Sequence, residues 1–315
     1  MKKALTAGAL FASVAVLAAC NASETETPED GKEEGTESAE SAAFPVTVKD
    51  ALGNEVTIEQ APERIVTLSP VNTEILYGLG LGDEIVGRTD NDNYPPEVTE
   101  KPSVGDIMFS AEEVIALNPD IVLAHASGMY GTEAQIDQLQ AAGVKVFVVE
   151  NAESMDAIYS TFEVIGEVTG KSAEAGQLVA KVKGEIAEVQ TKVAGLEKRS
   201  TFIVVGADPD LYVVGRDNYM NEMLELINVE NKVTESGWVK FSAEDFVAAN
   251  PDTMLFTYSS DVDVVKANAA FAEMAAVKNG SLQLIDGDTT SRQGPRIAQG
   301  VESMAKAIYP EAFNE

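Results

Sequence analysis

One segment of this chain occurs twice, and the repeat restricts the fold to two similar halves. Residues 110–123 begin with Ser-Ala-Glu and carry Asn-Pro-Asp before a short apolar run, and residues 242–255 repeat this pattern 132 positions later. In the first copy Ser110 can cap a helix, Glu113 can complete a capping box, and Pro119 ends the helix. The apolar run after each Asn-Pro-Asp predicts a buried strand. Two copies of one helix-and-strand unit indicate two α/β lobes.

The longest helical pattern, residues 171–198, lies between the two copies. At about 1.5 Å per residue it would run about 40 Å. It could be a core helix of one domain or a strut that joins two lobes, and the repeat on its two sides favours the strut. Its apolar residues recur at spacings of three and four and form one stripe: Leu178, Val182, Ile186, Val189, Val193 and Leu196.

Strand and helix patterns alternate on both sides of this helix. A hairpin is predicted around Leu52-Gly53-Asn54, and buried strands are predicted at 64–68, 121–124 and 144–149. Alternation at this spacing predicts α/β lobes with mostly parallel sheets. The predicted domains are an amino-terminal lobe at 44–170, an inter-lobe helix at 171–198 and a carboxy-terminal lobe at 199–315.

The amino terminus predicts export and lipid attachment. Residues 1–19 combine two early lysines with a short apolar run and read as a secretory signal. Cys20, the only cysteine, follows this run directly, as the acylated cysteine of a lipoprotein does. Residues 20–43 are then the lipidated cysteine and an acidic tether that has almost no large apolar side chain, so we expect the tether to be disordered.

The charge of the chain excludes one class of partner. The formal net charge is −30, and nucleic-acid binding requires a basic surface. An anionic membrane surface is an equally poor docking site, so attachment to the membrane depends on the lipid.

The combined motifs resemble a known family. The cysteine after the signal, the run Arg-Ile-Val-Thr-Leu-Ser-Pro-Val-Asn-Thr-Glu at 64–74, the repeated motif and Gly-Pro-Arg-Ile at 294–297 resemble the iron-siderophore, haem and cobalamin substrate-binding proteins of ABC importers. The likeness covers residues 62 to about 310. It implies two Rossmann-like lobes joined by one long rigid helix, with a small-molecule metal chelate held between them. It also implies a monomer that is anchored to the outer face of the cell membrane and delivers its chelate to a permease with a cytoplasmic ATPase.

The resemblance assigns permease docking to one glutamate on each lobe. Glu74 and Glu222 match these positions, since each is expected in the first turn of the first helix of its lobe, with Asn72 or Thr73 as one N-cap and Asn218 as the other. The alternative role for each carboxylate is to stabilise the positive end of its own helix.

The ligand is expected at loops between strands and helices, where α/β lobes place their sites. Tyr94 and Trp238 match aromatic ligand contacts of cobalamin-binding relatives, although packing under a loop is an equal alternative for each aromatic. Asp106 and His125 stand where such relatives carry aromatic residues, and His125 could either ligate haem iron or be a satisfied loop histidine. Arg292 would suit the anionic groups of a ferric siderophore. The predicted ligand-binding residues are Tyr94, Asp106, His125, Tyr130, Trp238, Asp288 and Arg292.

These features predict a binding protein without catalysis. No nucleophile-elbow, zinc-protease or Ser-x-x-Lys pattern occurs, and one histidine leaves little general-base chemistry. One histidine and one cysteine also provide no protein-built metal cage, so we expect no cofactor and a metal that arrives inside its chelate. A ferric siderophore is the first expectation, and cobalamin and haem are the alternatives. A surface hydrolase is the second hypothesis, which the missing catalytic patterns disfavour. A structural or adhesive surface protein is the third, and the predicted cleft and the two docking glutamates argue against it.

Overall fold

The computed structural model describes residues 44–314. The predicted signal peptide, the lipid attachment at Cys20 and the tether therefore lie outside the described residues. Within this range no helix is both long enough and apolar enough to cross a bilayer.

The described part of the chain alternates strands and helices, as the sequence predicts. Its strands are β1 (Val46–Lys49), β2 (Glu55–Ile58), β3 (Ile65–Thr67), β4 (Ile85–Gly87), β5 (Ile121–His125), β6 (Val146–Val149), β7 (Arg199–Gly206), β8 (Leu211–Val214), β9 (Val229–Asn231), β10 (Trp238–Phe241), β11 (Thr253–Phe256) and β12 (Leu282–Leu284). Its α-helices are α1 (Pro70–Gly78), α2 (Ala111–Ala116), α3 (Glu133–Ala141), α4 (Met155–Thr169), α5 (Ser172–Val193), α6 (Tyr219–Leu226), α7 (Ala243–Ala249), α8 (Ser259–Ala267), α9 (Ala275–Lys278), α10 (Gly287–Ser291) and α11 (Ile297–Ile308).

Two separate sheets form the two lobes. The amino-terminal lobe has four parallel strands in the order β4-β3-β5-β6, and the predicted hairpin β1-β2 stands apart from them. The carboxy-terminal lobe has the order β10-β8-β7-β11-β12, with β9 also paired to β7. Strands β9, β11 and β12 run parallel to β7, whereas β8 pairs antiparallel with both β7 and β10. The predicted fold class, two α/β lobes with mostly parallel sheets, is confirmed.

Helix α5 connects the lobes and is shorter than predicted. It ends at Val193, because Ala194 leaves the helical conformation and Gly195 has a φ of 80°. The helix packs against α4 of the first lobe and α11 of the second. Its apolar stripe belongs to a core that continues through both lobes, so the helix is at once a strut and part of the core.

The repeated motif begins each time with a capped helix. The side-chain oxygen of Ser110 accepts a hydrogen bond from the backbone N–H of Glu113 at 3.2 Å, and that of Ser242 accepts one from Asp245 at 3.1 Å. These bonds satisfy one of the free N–H groups at the start of α2 and of α7. The two copies of the motif are therefore equivalent in structure as well as in sequence.

The aspartate of each Asn-Pro-Asp accepts a hydrogen bond from the backbone at or next to a neighbouring parallel strand. One carboxylate oxygen of Asp120 accepts from the backbone N–H of Arg64, just before β3, at 2.9 Å. The same atom of Asp252 accepts from the backbone N–H of Ser200 in β7, also at 2.9 Å. The strand that follows each motif, β5 or β11, pairs with the strand that its aspartate contacts, β3 or β7. The aspartate therefore supports the equivalent strand pair in each lobe.

Helix α1 begins earlier than predicted. Ser69 is its N-cap and Pro70 its first residue. Proline suits this position because its ring fixes φ near the helical value and it has no backbone N–H to leave unpaired. Asn72, expected as a cap, instead donates to the backbone oxygens of Leu123 and Ala124 inside the lobe. The expectation that Glu74 lies in the first turn is therefore wrong. Glu222 does lie in the first turn of α6, behind the predicted cap Asn218.

Candidate ligand-binding cleft

Two cavities meet at the carboxyl end of β5, and His125 and Ser127 line both. The first cavity, of about 190 Å³, lies inside the amino-terminal lobe between the loops that follow β3 and β5. The second, of about 310 Å³, lies between the lobes and is lined by Ala152 on one side and by Tyr219 on the other. Together they form a concave site of the size that small-molecule ligands use.

His125 is buried at the junction of these cavities. Only 5% of the residue is exposed, and its Nδ1 lies 2.8 Å from the side-chain oxygen of Ser127. The backbone N–H of Ser127 also donates to Nδ1 at 3.3 Å, whereas Nε2 has no hydrogen-bond partner within the described residues. Burial lowers the pKa of His125 to about 4, so the imidazole is neutral at pH 7.

The first cavity has an exposed apolar rim. Asp106 lines it together with His125, and its carboxylate accepts from the backbone N–H of Met108 at 2.9 Å. Ile107 and Met108 are 64% and 58% exposed. Tyr130 is 93% exposed and lines neither cavity, although its neighbour Met129 lines the first. The structure thus brings Asp106 and His125 together and leaves Tyr130 beside them.

The second cavity holds the only tryptophan. Trp238 is the first residue of β10, is 54% exposed and lines the cavity from the carboxy-terminal lobe. Tyr219 is buried there, and its hydroxyl donates to the backbone oxygen of Ser291 at 3.0 Å. Burial raises the pKa of Tyr219 far above its usual value, so this phenol stays protonated.

Arg292 lies in an ion-pair cluster that joins the lobes. The Glu74 cluster comprises Glu74, Tyr94, Asp288, Arg292 and Arg296. Arg292 donates to Glu74 at 2.9 Å, and Arg296 donates to both carboxylate oxygens of Glu74 at 2.9 and 2.6 Å. The Glu74 side chain is 2% exposed. The charge that Arg292 was expected to offer to a ligand is therefore already paired with a carboxylate of the other lobe.

The remaining members surround this pair. The guanidinium of Arg296 lies 4.1 Å from the centre of the Tyr94 ring. Asp288 lies 3.1 Å from Arg292. Burial alone would lower the pKa of Arg296, but the hydrogen bonds and charge of Glu74 outweigh it and raise that pKa. Tyr94, Asp288 and Arg292 line neither cavity, so their contact with a ligand stays a prediction.

Glu222 also reaches across to the other lobe. Its carboxylate accepts from the backbone N–H of Met155, the first residue of α4, at 2.7 Å. The side chain is half-buried, and the bond stabilises the positive end of α4. Docking by Glu74 or Glu222 stays a prediction, and for Glu74 the carboxylate would first have to leave two arginines.

The sequence matches the periplasmic binding protein family over residues 65–289. The chain belongs to this family. It is 40% identical over 318 residues to the uncharacterized ABC transporter substrate-binding lipoprotein YvrC of Bacillus subtilis, covering 100% of this chain and 99% of that protein. It is 26% identical over 280 residues to a cobalamin-binding protein of Halobacterium salinarum, covering 85% of this chain and 75% of the relative.

A solved structure shows the same architecture. The crystal structure of a possible iron-binding, periplasmic solute-binding protein from Staphylococcus epidermidis superposes with a TM-score of 0.74 at 36% identity, covering 79% of this chain and 100% of that one. The relatives are substrate-binding proteins of ABC transporters. Such substrate-binding proteins bind small molecules for a permease and its ATPase and are not enzymes.

Two residues that shape the cleft, Gln293 and Ser127, were not predicted from the sequence. Gln293 is buried, accepts from the backbone N–H of Ala152 at 2.9 Å and donates to its oxygen at 2.8 Å, so it fastens one lobe to the other beside the second cavity. Ser127 orients His125. The signal for Gln293 was its place directly before Gly-Pro-Arg-Ile, whereas nothing in the sequence pointed to Ser127.

The repeat also presents two exposed acids that were not assigned a role. Glu112 and Glu244 occupy the same position of the motif, in the first turn of α2 and of α7, and both are exposed. In residues 44–314 no group of three or more His, Cys, Asp or Glu side chains comes together to hold a metal ion.

Proposed function

We propose that this protein captures a metal chelate outside the cytoplasm and delivers it to the permease of an ABC importer, acting by binding alone. The observation that carries the proposal is the inter-lobe cavity lined by Tyr219 and Trp238 in a chain of this family. The relatives support it, because one is named as a possible iron-binding protein and another as a cobalamin-binding protein.

Among chelates, a ferric siderophore of the uncharged or cationic hydroxamate type fits the cleft best. Among residues 44–314 no lysine or arginine lines either of the two cavities, whereas Asp106, Glu153 and Asp217 do. A strongly anionic ferric tricatecholate would meet these carboxylates without a compensating cation. Cobalamin is the second candidate, since it carries hydrogen-bond acceptors around a large apolar ring and the cleft has an apolar rim. Haem, with two carboxylates, fits the charge of the lining less well.

Tryptophan fluorescence tests this assignment directly because Trp238 is the only tryptophan. The protein is titrated with the ferric complex of desferrioxamine B, a ferric tricatecholate, cyanocobalamin and haemin, and calorimetry confirms each binding event. We expect the ferric hydroxamate to bind tightest and the tricatecholate weakest. The iron-free chelator is the control. Tight tricatecholate binding would contradict the charge argument, and failure of every chelate would contradict the function.

The amino terminus is proposed to anchor the protein through a lipid on Cys20, after removal of residues 1–19. The domain boundaries at 44–170, 171–198 and 199–315 belong to the same proposal, as does the monomeric state. Replacing Cys20 with serine should release the protein into the soluble extracytoplasmic fraction while its chelate affinity is unchanged. Retention of the serine variant in the membrane fraction would contradict lipid anchoring.

Permease docking is proposed to use Glu74 and Glu222, one on each lobe, as the resemblance implies. The exposed pair Glu112 and Glu244 is the alternative. Glu74→Gln and Glu222→Gln, in protein shown to be folded, should impair uptake and association with the permease without a change in chelate affinity. Glu188→Gln on α5 is the matched control, because Glu188 is exposed and lies outside the repeat. If Glu112→Gln and Glu244→Gln abolish docking while the Glu74 and Glu222 variants do not, the exposed pair is the docking site.

A further inference from the structure

The buried Nε2 of His125 is an unexplained polar atom in the cleft. Only 5% of the residue is exposed, and it lines both cavities where they meet. Buried side-chain nitrogens without a partner are uncommon in folded proteins, because the lost hydration is not replaced. Nε2 has none among the described residues. A bound ligand would supply the missing partner.

The surroundings of Nδ1 determine which hydrogen bond Nε2 can make. The backbone N–H of Ser127 is always a donor, and it points at Nδ1 at 3.3 Å. Nδ1 must therefore carry the lone pair, and the hydroxyl of Ser127, 2.8 Å away, can donate to it as well. In a neutral imidazole the proton then resides on Nε2. Moving it to Nδ1 would set two N–H groups against each other.

We propose that His125 is held as the Nε2–H tautomer and binds the ligand as a hydrogen-bond donor, not as a ligand of the metal. A protonated Nε2 has no lone pair for iron or cobalt. The bound chelate must instead present an acceptor oxygen or nitrogen at the base of the cleft. This inference rests on the proposed function for the identity of the ligand, and on the geometry alone for the tautomer.

Three other N–H groups near the junction of the lobes already have partners. The N–H of Ala152 bonds to Gln293, that of Met155 to Glu222, and that of Met220 to Asn218. One N–H at the start of α4 and one at the start of α6 are thus satisfied within the protein. His125 differs from these groups, because its Nε2 has no partner among the described residues and the residue lines both cavities.

Nitrogen NMR decides the tautomer without any substitution. His125 is the only histidine, so two-bond proton–nitrogen spectra of an untagged ¹⁵N-labelled chain contain one imidazole. We expect the shift pattern of a neutral ring with Nδ1 unprotonated and Nε2 protonated at pH 7. A proton on Nδ1, or a charged ring at pH 7, would overturn the proposal.

Three side chains at position 125 test the donor in binding. His125→Phe keeps a planar ring but removes the donor, His125→Gln places an amide N–H at nearly the reach of Nε2, and His125→Asn places one at the reach of Nδ1. With the ferric complex of desferrioxamine B or cyanocobalamin as probe, we expect about tenfold weaker binding for the phenylalanine and asparagine variants and recovery to within about threefold for glutamine. Thermal unfolding verifies that each variant is folded. Equal affinity of wild type and His125→Phe would overturn the role.

Haemin separates donation from metal ligation. We expect the absorption spectrum of haemin mixed with wild-type protein to lack the bands of imidazole-ligated iron, as it does with His125→Phe. Imidazole bands that disappear in His125→Phe would overturn the proposal in favour of ligation. If no chelate binds the wild-type protein, the proposed function fails, whereas the NMR result still decides the tautomer.

Discussion

The two lobes share one sequence motif yet meet each other through unlike contacts. Glu74 of the first lobe is buried between Arg292 and Arg296 of the second, whereas Glu222 of the second lobe is half-buried and accepts one backbone N–H from α4. Similar positions in sequence have thus acquired different environments. The motif determines how each lobe is built, and residues outside it determine how the lobes are joined.

The strand ends facing the cleft differ in the same way. His125 ends β5 with a nitrogen that has no partner in the part of the chain that the structure describes. The residue 132 positions later, Thr257, follows β11, and its hydroxyl lies 3.5 Å from the backbone oxygen of Val204. At this strand end the first lobe therefore offers a polar group to a ligand, whereas the corresponding group of the second lobe contacts the backbone of its own sheet.

The largest expected loss of stability follows from replacing the buried Glu74. Glu74→Gln should lower the free energy of unfolding by about 3–5 kcal/mol, because two largely buried guanidinium groups lose their counter-charge. Urea unfolding at pH 7 measures it. The matched variant Glu222→Gln should cost about 1 kcal/mol or less, since it weakens one half-exposed bond at a helix end. Equal losses at the two sites would show that the inter-lobe contacts are equivalent after all.

The second effect is a pH dependence confined to the first lobe. The folded pKa of His125, about 4, lies below the unfolded value of about 6.5, so the unfolded chain binds a proton that the folded chain does not. This contribution to stability is complete above pH 6.5 and is lost as the pH falls through 4. It amounts to about 3 kcal/mol between pH 7 and pH 4.

This pH effect is obtained by comparing wild type with His125→Phe, in which the contribution is missing, by urea unfolding at each pH. The carboxylates titrate in both proteins and cancel. Thr257→Val, the corresponding change in the second lobe, should follow the wild-type pH curve. A parallel pH dependence of wild type and His125→Phe would mean that the pKa of His125 is the same in the folded and the unfolded chain.

A smaller and equal effect is expected where the lobes are alike. Asp120→Ala and Asp252→Ala should each lower the free energy of unfolding by about 1–2 kcal/mol, because each removes a carboxylate that accepts from the backbone of the neighbouring strand. The bonds of Ser200 hold the pKa of Asp252 below its usual value, in agreement with this role. Urea unfolding at pH 7 compares the pair. A loss at only one site would break the equivalence of the repeat.

The smallest effect concerns the helix caps. Ser110→Ala and Ser242→Ala should each cost about 1 kcal/mol, the usual contribution of a serine N-cap. Melting temperatures should fall by similar amounts, with Ser172→Ala at the start of α5 as the control, because Lys171 rather than Ser172 occupies the N-cap there. Unequal shifts would show that one copy of the motif is more strongly supported by its lobe.

Much of the architecture could be predicted from local patterns. Ser110 and Pro119 bond to or constrain nearby backbone, so their roles follow from residue type and spacing. The apolar stripe of α5 predicted a buried helix between two lobes for the same reason. The end of that helix was predicted five residues too far along, because Leu196 continues the stripe although the backbone turns at Ala194.

The candidate site depended more on tertiary structure. Asp106 and His125 were predicted separately, and only the fold shows that they share a cavity. Arg292 was predicted to meet a ligand, but residues more than 200 positions away in sequence pair with it. A side chain at one position cannot indicate which distant charge will neutralise it, since that depends on how the lobes pack.

The sequence by itself determined the two α/β lobes, the helix between them and the family, because periodicity, helix caps and the repeated motif act within a few residues or within one lobe. The tertiary structure decided which polar groups face the cleft and which are consumed at the interface. Glu74, Glu222 and Arg292 are held between the lobes, and the Nε2 of His125 is left to the ligand. That division follows from long-range packing, which brings charges together irrespective of their distance along the chain.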